Sequence, residues 1–122
     1  MHKQVLVLDD NPVQLLARQR VLAQAGFEVH VETNAEIALS LLNNETFRES
    51  IGAIVTDHIM PQVSGHQFVQ ILREITPDVP IIVISGMAEA ENEYQEFQNV
   101  DFRTKPVPPQ ELIDLVKSRM RQ

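Results

Sequence analysis

Short apolar runs alternate along this chain with stretches whose apolar residues recur at helical spacing. "QVLVL" (4–8) is an unbroken Val/Leu run, as expected of a strand buried on both faces. Asn11-Pro12 then reads as a helix N-cap followed by proline at the first helical position. Val13, Leu16, Ala17 and Val21 supply a helical apolar spacing, and Gly26 stands where a glycine ends a helix. "FEVHV" (27–31) alternates like a less buried strand. Thr33 and Glu36 fit a capping box, with Ile37, Ala38, Leu41 and Leu42 as the apolar stripe behind it. "IGAIVT" (51–56) predicts a third strand. Ser64 can cap a helix bearing Phe68, Ile71, Leu72 and Ile75. "VPIIVIS" (79–85) predicts the fourth and most hydrophobic strand. Residues 89–97 predict a weak helix, and "VDFRT" (100–104) a short fifth strand. Pro108-Pro109 open a last helix with Leu112, Ile113, Leu115, Val116 and Met120 on its apolar side. Lys117, Arg119 and Arg121 at its end complement the helix dipole.

Five strands alternating with helical segments predict an α/β fold. It is a (βα)5 doubly wound five-stranded parallel sheet with helices on both faces. The strand order 2-1-3-4-5 is adopted from a common doubly wound arrangement and is not dictated by the pattern. The length of 122 residues fits one domain, 1–122, with no repeat or linker inside it. No apolar run approaches the ~20 residues of a membrane helix. No signal peptide precedes the first strand, so the cytoplasm is the expected compartment. The chain has no cysteine, which excludes disulfides and thiolate metal sites. Its net charge of −7 argues against direct nucleic-acid binding, which needs clustered Lys and Arg.

In open α/β sheets the ligand binds outside the carboxyl ends of the strands, where the strand order reverses. Strand one ends in Asp9-Asp10, strand three in Asp57, strand four in Ser85-Gly86 and strand five in Lys105-Pro106. Strand two ends in Glu32-Thr33, with nothing distinctive. Taken singly, an Asp in such a place is more often a turn residue or a cap. Together on one edge, three carboxylates require a raised pKa or a bound cation. Hard oxygen ligands suit Mg2+. A metal, an ammonium, a hydroxyl and a carboxylate nucleophile make a phosphoryl-transfer site. The four histidines, His2, His30, His58 and His66, lack ligand spacing, and His58 is expected in a solvent-facing loop.

Over essentially its whole length the sequence resembles the receiver domains of two-component response regulators. The resemblance rests on "VLVLDD" with Asp9 and Asp10, "VTDHIMPQVSG" with Asp57, Met60-Pro61 and Gly65, "VISG" with Ser85, and "FRTKP" with Phe102 and Lys105-Pro106. It implies a flavodoxin-like fold akin to that of the chemotaxis regulators, and phosphorelay signal transduction. Asp57 would accept a phosphoryl group from a histidine kinase or histidine phosphotransfer protein. Asp10 would ligate Mg2+ (or Mn2+) directly, Asp9 through water, and the Ile59 backbone carbonyl would be a further ligand. Ser85 and Lys105 would bind the phosphoryl group, and Phe102 would be the switch aromatic beside Ser85. The bond before Pro106 is expected to be cis. Ile59 and Met87 lie at positions that tune acyl-phosphate hydrolysis, and both are apolar, which predicts a long-lived phosphoryl group. The resemblance makes the chain a self-modifying signalling domain, not a turnover enzyme.

Output to a downstream protein or fused domain would pass through the surface of segment 89–97, the fifth strand and the last helix. A homodimer is also compatible with the sequence. No output domain is recognisable, and the chain reads equally as a stand-alone receiver or a segment of a larger regulator or hybrid kinase. Two other functions compete. One is a pseudo-receiver that binds partners without accepting phosphate. The other is an aspartyl-phosphate phosphatase of the haloacid dehalogenase type, but its D-x-D motif is absent, since Asn11 stands two residues after Asp9. One departure from the receiver pattern stands out. Ser85 and Lys105 are closer together than usual, and "QNV" (98–100) replaces the customary small residues. The fourth helix is therefore expected to be short or poorly ordered. From Glu74 to Asp101 the chain has seven acids and no Lys or Arg, and the acidic 89–96 stretch is expected as a solvated helix face, the alternative being a contact surface for a basic partner.

Overall fold

The computed structural model describes residues 3–60 and 63–120. Five parallel strands, β1 (Gln4–Leu8), β2 (Val29–Glu32), β3 (Ile51–Asp57), β4 (Ile81–Ser85) and β5 (Val100–Thr104), form one sheet in the order β2-β1-β3-β4-β5. This is the expected doubly wound arrangement, with β1 and β3 side by side where the order reverses. The helices are α1 (Pro12–Gln24), α2 (Ala35–Leu42), a short α3 (Glu45–Glu49), α4 (Gly65–Ile75) and α5 (Pro109–Met120). A 3₁₀ helix, Ala88–Tyr94, connects β4 to β5.

The strands are apolar throughout because each feeds two cores. Leu6, Leu8, Ile54, Ile81 and Val83 pack on one face with Ala38, Leu42, Phe68, Val69 and Leu72 from α2 and α4. Val5, Val7, Val55, Ile82 and Ile84 pack on the other with Leu15 and Leu22 of α1 and with Leu112, Leu115 and Val116 of α5. The period-2 alternation of side chains thus divides one continuous run between two helical layers.

Three local expectations are corrected. The inward face of α1 is not Val13, Leu16, Ala17 and Val21. Leu15 and Leu22 are buried, while Val13 and Leu16 are 75% and 51% exposed. Asn11 accepts from the Val13 and Gln14 N–H groups, which fixes the start of the helix as expected, while the packing of Leu15 and Leu22 with Val5, Val7 and the α5 side chains turns positions 15, 18 and 22 toward the sheet. Helix α2 is capped by Asn34, whose side chain accepts from Ile37 N, and not by the Thr33/Glu36 box. Ile37 is consequently exposed, with Ala35, Ala38 and Leu42 inside. His58 is buried, not solvent-facing. By contrast, Ser64 forms the expected cap on α4, as a full capping box with Gln67.

The fourth helical segment is short, as expected, and takes 3₁₀ form. Ala90 and Tyr94 supply its only buried side chains. In an α-helix Glu89 and Glu93 would stand at i and i+4, a like-charge pair that disfavours that form. The expectations placed on His2, Pro61 and Arg121 fall outside the described residues.

Candidate functional site

All the strand-end residues singled out above lie at the carboxyl edge of the sheet. Among the described residues, one carboxylate oxygen each from Asp9, Asp10 and Asp57 lies within 4.8 Å of the others. Parallel pairing of β1 with β3 creates this cluster, because Leu8 stands opposite Thr56 and both strands deliver acids at the next position. Asp57 closes β3, which is paired with β1 on one side and β4 on the other, and stands opposite Ile84 of β4. Its Oδ1 accepts from His58 N at 2.9 Å, and the same N–H reaches Ile84 O at 3.1 Å. Its Oδ2 accepts from Lys105 Nζ at 3.3 Å. Lys105 also donates to Gln14 Oε1 at 3.1 Å, so α1 steadies the ammonium from the other side. The Lys105-Pro106 bond is cis, as expected.

Asp9 is fully buried and bonded at both oxygens. Oδ1 accepts from Asn11 N at 2.9 Å and Oδ2 from Arg18 Nη1 at 2.7 Å. Burial pushes its carboxyl above the ordinary aspartate pKa. The Asn11 N–H and the Arg18 guanidinium pull it back, Asp57 pushes it further up, and Lys105 opposes that. Asp10 is exposed, with its carboxylate open to solvent at the rim. The donor set is thus entirely hard oxygen, crowded and anionic. That chemistry fits a divalent cation such as Mg2+ or Mn2+.

Ser85 is buried at the last position of β4, one residue beyond the Ile84 that pairs with Asp57. Its hydroxyl accepts from Met87 N at 2.9 Å, and its carbonyl accepts from Lys105 N at 2.7 Å. Ile59 and Met87 are both exposed beside this edge, at 59% and 41%. Phe102 is buried on β5 and packs against Tyr94, with ring centroids 5.8 Å apart. The Tyr94 hydroxyl is hydrogen-bonded to His58 Nδ1, linking the 3₁₀ helix to the residue after Asp57. Burial, then the charges of Glu93 and Asp57, push the Tyr94 phenol well above its usual range.

Three contributors escaped the sequence reading: Gln14, Arg18 and Tyr94. Gln14 and Arg18 lie i, i+4 apart on α1, and the spacing 15, 18, 22 marks the inward face once Leu15 and Leu22 are seen to be the buried residues. Tyr94 carries no such signal, because its partner His58 lies 36 residues away.

The response regulator receiver domain model matches residues 5–117. The chain is 36% identical over 96% of its length to the hydrogenase transcriptional regulatory protein HoxA of Bradyrhizobium diazoefficiens, of which the match covers 24%. It is 28% identical over 96% of its length to the response regulator protein TodT of Pseudomonas putida, of which the match covers 51%. The chain therefore spans between about a quarter and about half of these two curated relatives. A response regulator receiver protein from Sinorhizobium medicae superposes with a TM-score of 0.86 at 29% identity, covering 98% of this chain and 95% of that one. A receiver protein from Pseudomonas putida gives 0.85 at 30%, covering 97% and 98%. With its β2-β1-β3-β4-β5 sheet and the acids at its carboxyl edge, the chain belongs to the response regulator receiver domain family.

Proposed function

We propose that the chain accepts a phosphoryl group on Asp57 from a histidine kinase or a histidine phosphotransfer protein, with a divalent cation held by Asp9, Asp10, Asp57 and the Ile59 carbonyl. The observation that carries this reading is the cluster of three carboxylates within 4.8 Å, with Lys105 Nζ 3.3 Å from Asp57 Oδ2. A bound Mg2+ would neutralise charge on the transferring group and orient its oxygens.

The protein's own residues do the rest. A carboxylate oxygen of Asp57 attacks phosphorus. The new P–O bond forms as the P–N bond breaks, and the imidazole nitrogen keeps the electron pair and takes up a proton. Lys105, steadied by Gln14, places its ammonium where the phosphoryl oxygens arrive. Ser85 stands ready to trade its bond from Met87 N for a phosphoryl oxygen. The added charge of about −1 to −2 then biases a two-state element. That element is Phe102 with Tyr94, and their shared burial means that neither ring moves without repacking the other. Output would leave through the 3₁₀ helix, β5 and α5. The exposed Val13, Leu16, Ile59 and Met87 leave apolar surface at and just below the acceptor edge, suited to docking the helical, histidine-bearing module of the donor.

The test is incubation with acetyl phosphate and Mg2+ followed by intact-mass analysis. A phosphoryl mass gain on the wild type, absent from Asp57→Ala and from chelator-treated protein, is expected. No gain on the wild type would favour a phosphate-independent interaction module. A gain that survives Asp57→Ala would place the acceptor elsewhere.

A further inference from the structure

The guanidinium of Arg18 lies inside the acidic site as a fixed internal cation. It reaches Asp9 Oδ2 at 2.7 Å, its side chain is 13% exposed, and the Asp9 side chain is wholly buried. Helix α1 enforces this placement. Arg18 lies between the buried Leu15 and Leu22 on the helix face that packs toward the sheet, and from there its guanidinium reaches the acids. The remaining Asp9 oxygen is held by Asn11 N.

We infer that Arg18 sets the divalent-cation affinity of the site, holding the unphosphorylated pocket in a weakly metal-binding state. This rests on the phosphoacceptor reading above. With Lys105 and Arg18 both present, the three carboxylates keep one net negative charge. Without Arg18 they keep two. One unit charge a few ångströms from a dication changes its binding roughly tenfold even under water-like screening. A site balanced in this way fills most readily when the donor's phosphoryl group brings its own negative charge. Metal loading is thereby coupled to the arrival of the phosphodonor. Arg18 touches no reacting atom and is a charge-setting, positioning residue.

The experiment is Mn2+ binding to the unphosphorylated full chain, followed by electron paramagnetic resonance of free Mn2+ and by calorimetry. Four proteins are compared: wild type, Arg18→Leu, Arg18→Lys and Arg20→Leu. Leucine keeps an apolar side chain of similar reach at position 18, and circular dichroism checks that the variant is folded. Arg20 is exposed on the same helix and controls for net charge alone. Arg18→Leu should bind Mn2+ roughly tenfold more tightly. Arg18→Lys should stay near wild type, and Arg20→Leu should be unchanged. Should Arg18→Leu fold poorly, Arg18→Lys and Arg18→Gln give the same contrast of charge kept and charge lost. Unchanged or weaker binding in the charge-removed variant overturns the inference while leaving the phosphoacceptor reading intact. A tightening that Arg20→Leu matches reduces it to bulk charge and also overturns it. A wild type that binds no Mn2+ and gains no phosphoryl mass overturns both.

Discussion

Substituting Gly65 by alanine tests how the start of α4 is fitted against His58, the residue after β3. A Cβ at this position would meet the Tyr94 hydroxyl, His58 O at 2.7 Å and His58 Cα at 2.8 Å. The tyrosine can swing aside at the cost of its bond to His58. The His58 backbone cannot yield easily. Its N–H is held by Ile84 O and Asp57 Oδ1, and its carbonyl by Gly65 N at 2.7 Å. Overpacking against fixed backbone costs about 1–3 kcal/mol, and the upper half applies where two backbone atoms are struck. At about 2.1 cal/mol/K of unfolding entropy per residue, a loss of about 2 kcal/mol lowers Tm by roughly 8 °C for a chain of this length. Gly86 supplies the control, because a Cβ there meets nothing within 4 Å. Gly86→Ala should stay within about 0.5 kcal/mol of wild type. Adding Tyr94→Phe to Gly65→Ala should recover only part of the loss, since the backbone collision remains. The assay is thermal unfolding by circular dichroism. A Gly65→Ala protein melting within about 2 °C of wild type would refute the claim that the His58 backbone is rigidly held.

Two further outcomes follow from the same geometry. Tyr94 is the chain's single tyrosine, and there is no tryptophan, so tyrosinate absorbance reports it alone. Its folded pKa is raised above 10, chiefly by burial. Below about pH 10 the phenol is protonated in both folded and unfolded chains. Above it only the unfolded chain sheds the proton, so stability falls as pH rises from there. The folded protein should show no tyrosinate until it unfolds, and a reversible titration near pH 10 with native circular dichroism would contradict this. The exposed, apolar Ile59 offers a water molecule no hydrogen bond, so, on the phosphoacceptor reading proposed above, Ile59→Asn should speed loss of the acyl phosphate several-fold. A dephosphorylation rate unchanged from wild type, followed by mass or by radiolabel, would remove Ile59 from that role.

Sequence alone determined the alternation of elements, and the physical reason is local. Strands buried on both faces must be continuously apolar, so "QVLVL", "IGAIVT" and "VPIIVIS" declared themselves. Proline and serine caps marked the starts of α1, α4 and α5. The polar residues that interrupt this pattern, Asp9, Asp10, Asp57, Ser85 and Lys105, were conspicuous because each stands where a buried strand ends. Tertiary structure alone decided which face of α1 turns inward. Val13 and Leu16 fit a core face by spacing, yet the packing of Leu15 and Leu22 with the sheet and α5 leaves them outside and carries Gln14 and Arg18 to the site. Likewise, nothing local to His58 reveals that Tyr94 will bury it from 36 residues away. Local pattern selects the element and its ends. The charge balance of the site depends on helical phase and on contacts between distant segments, and those exist only once the sheet has brought β1, β3 and β5 to one edge.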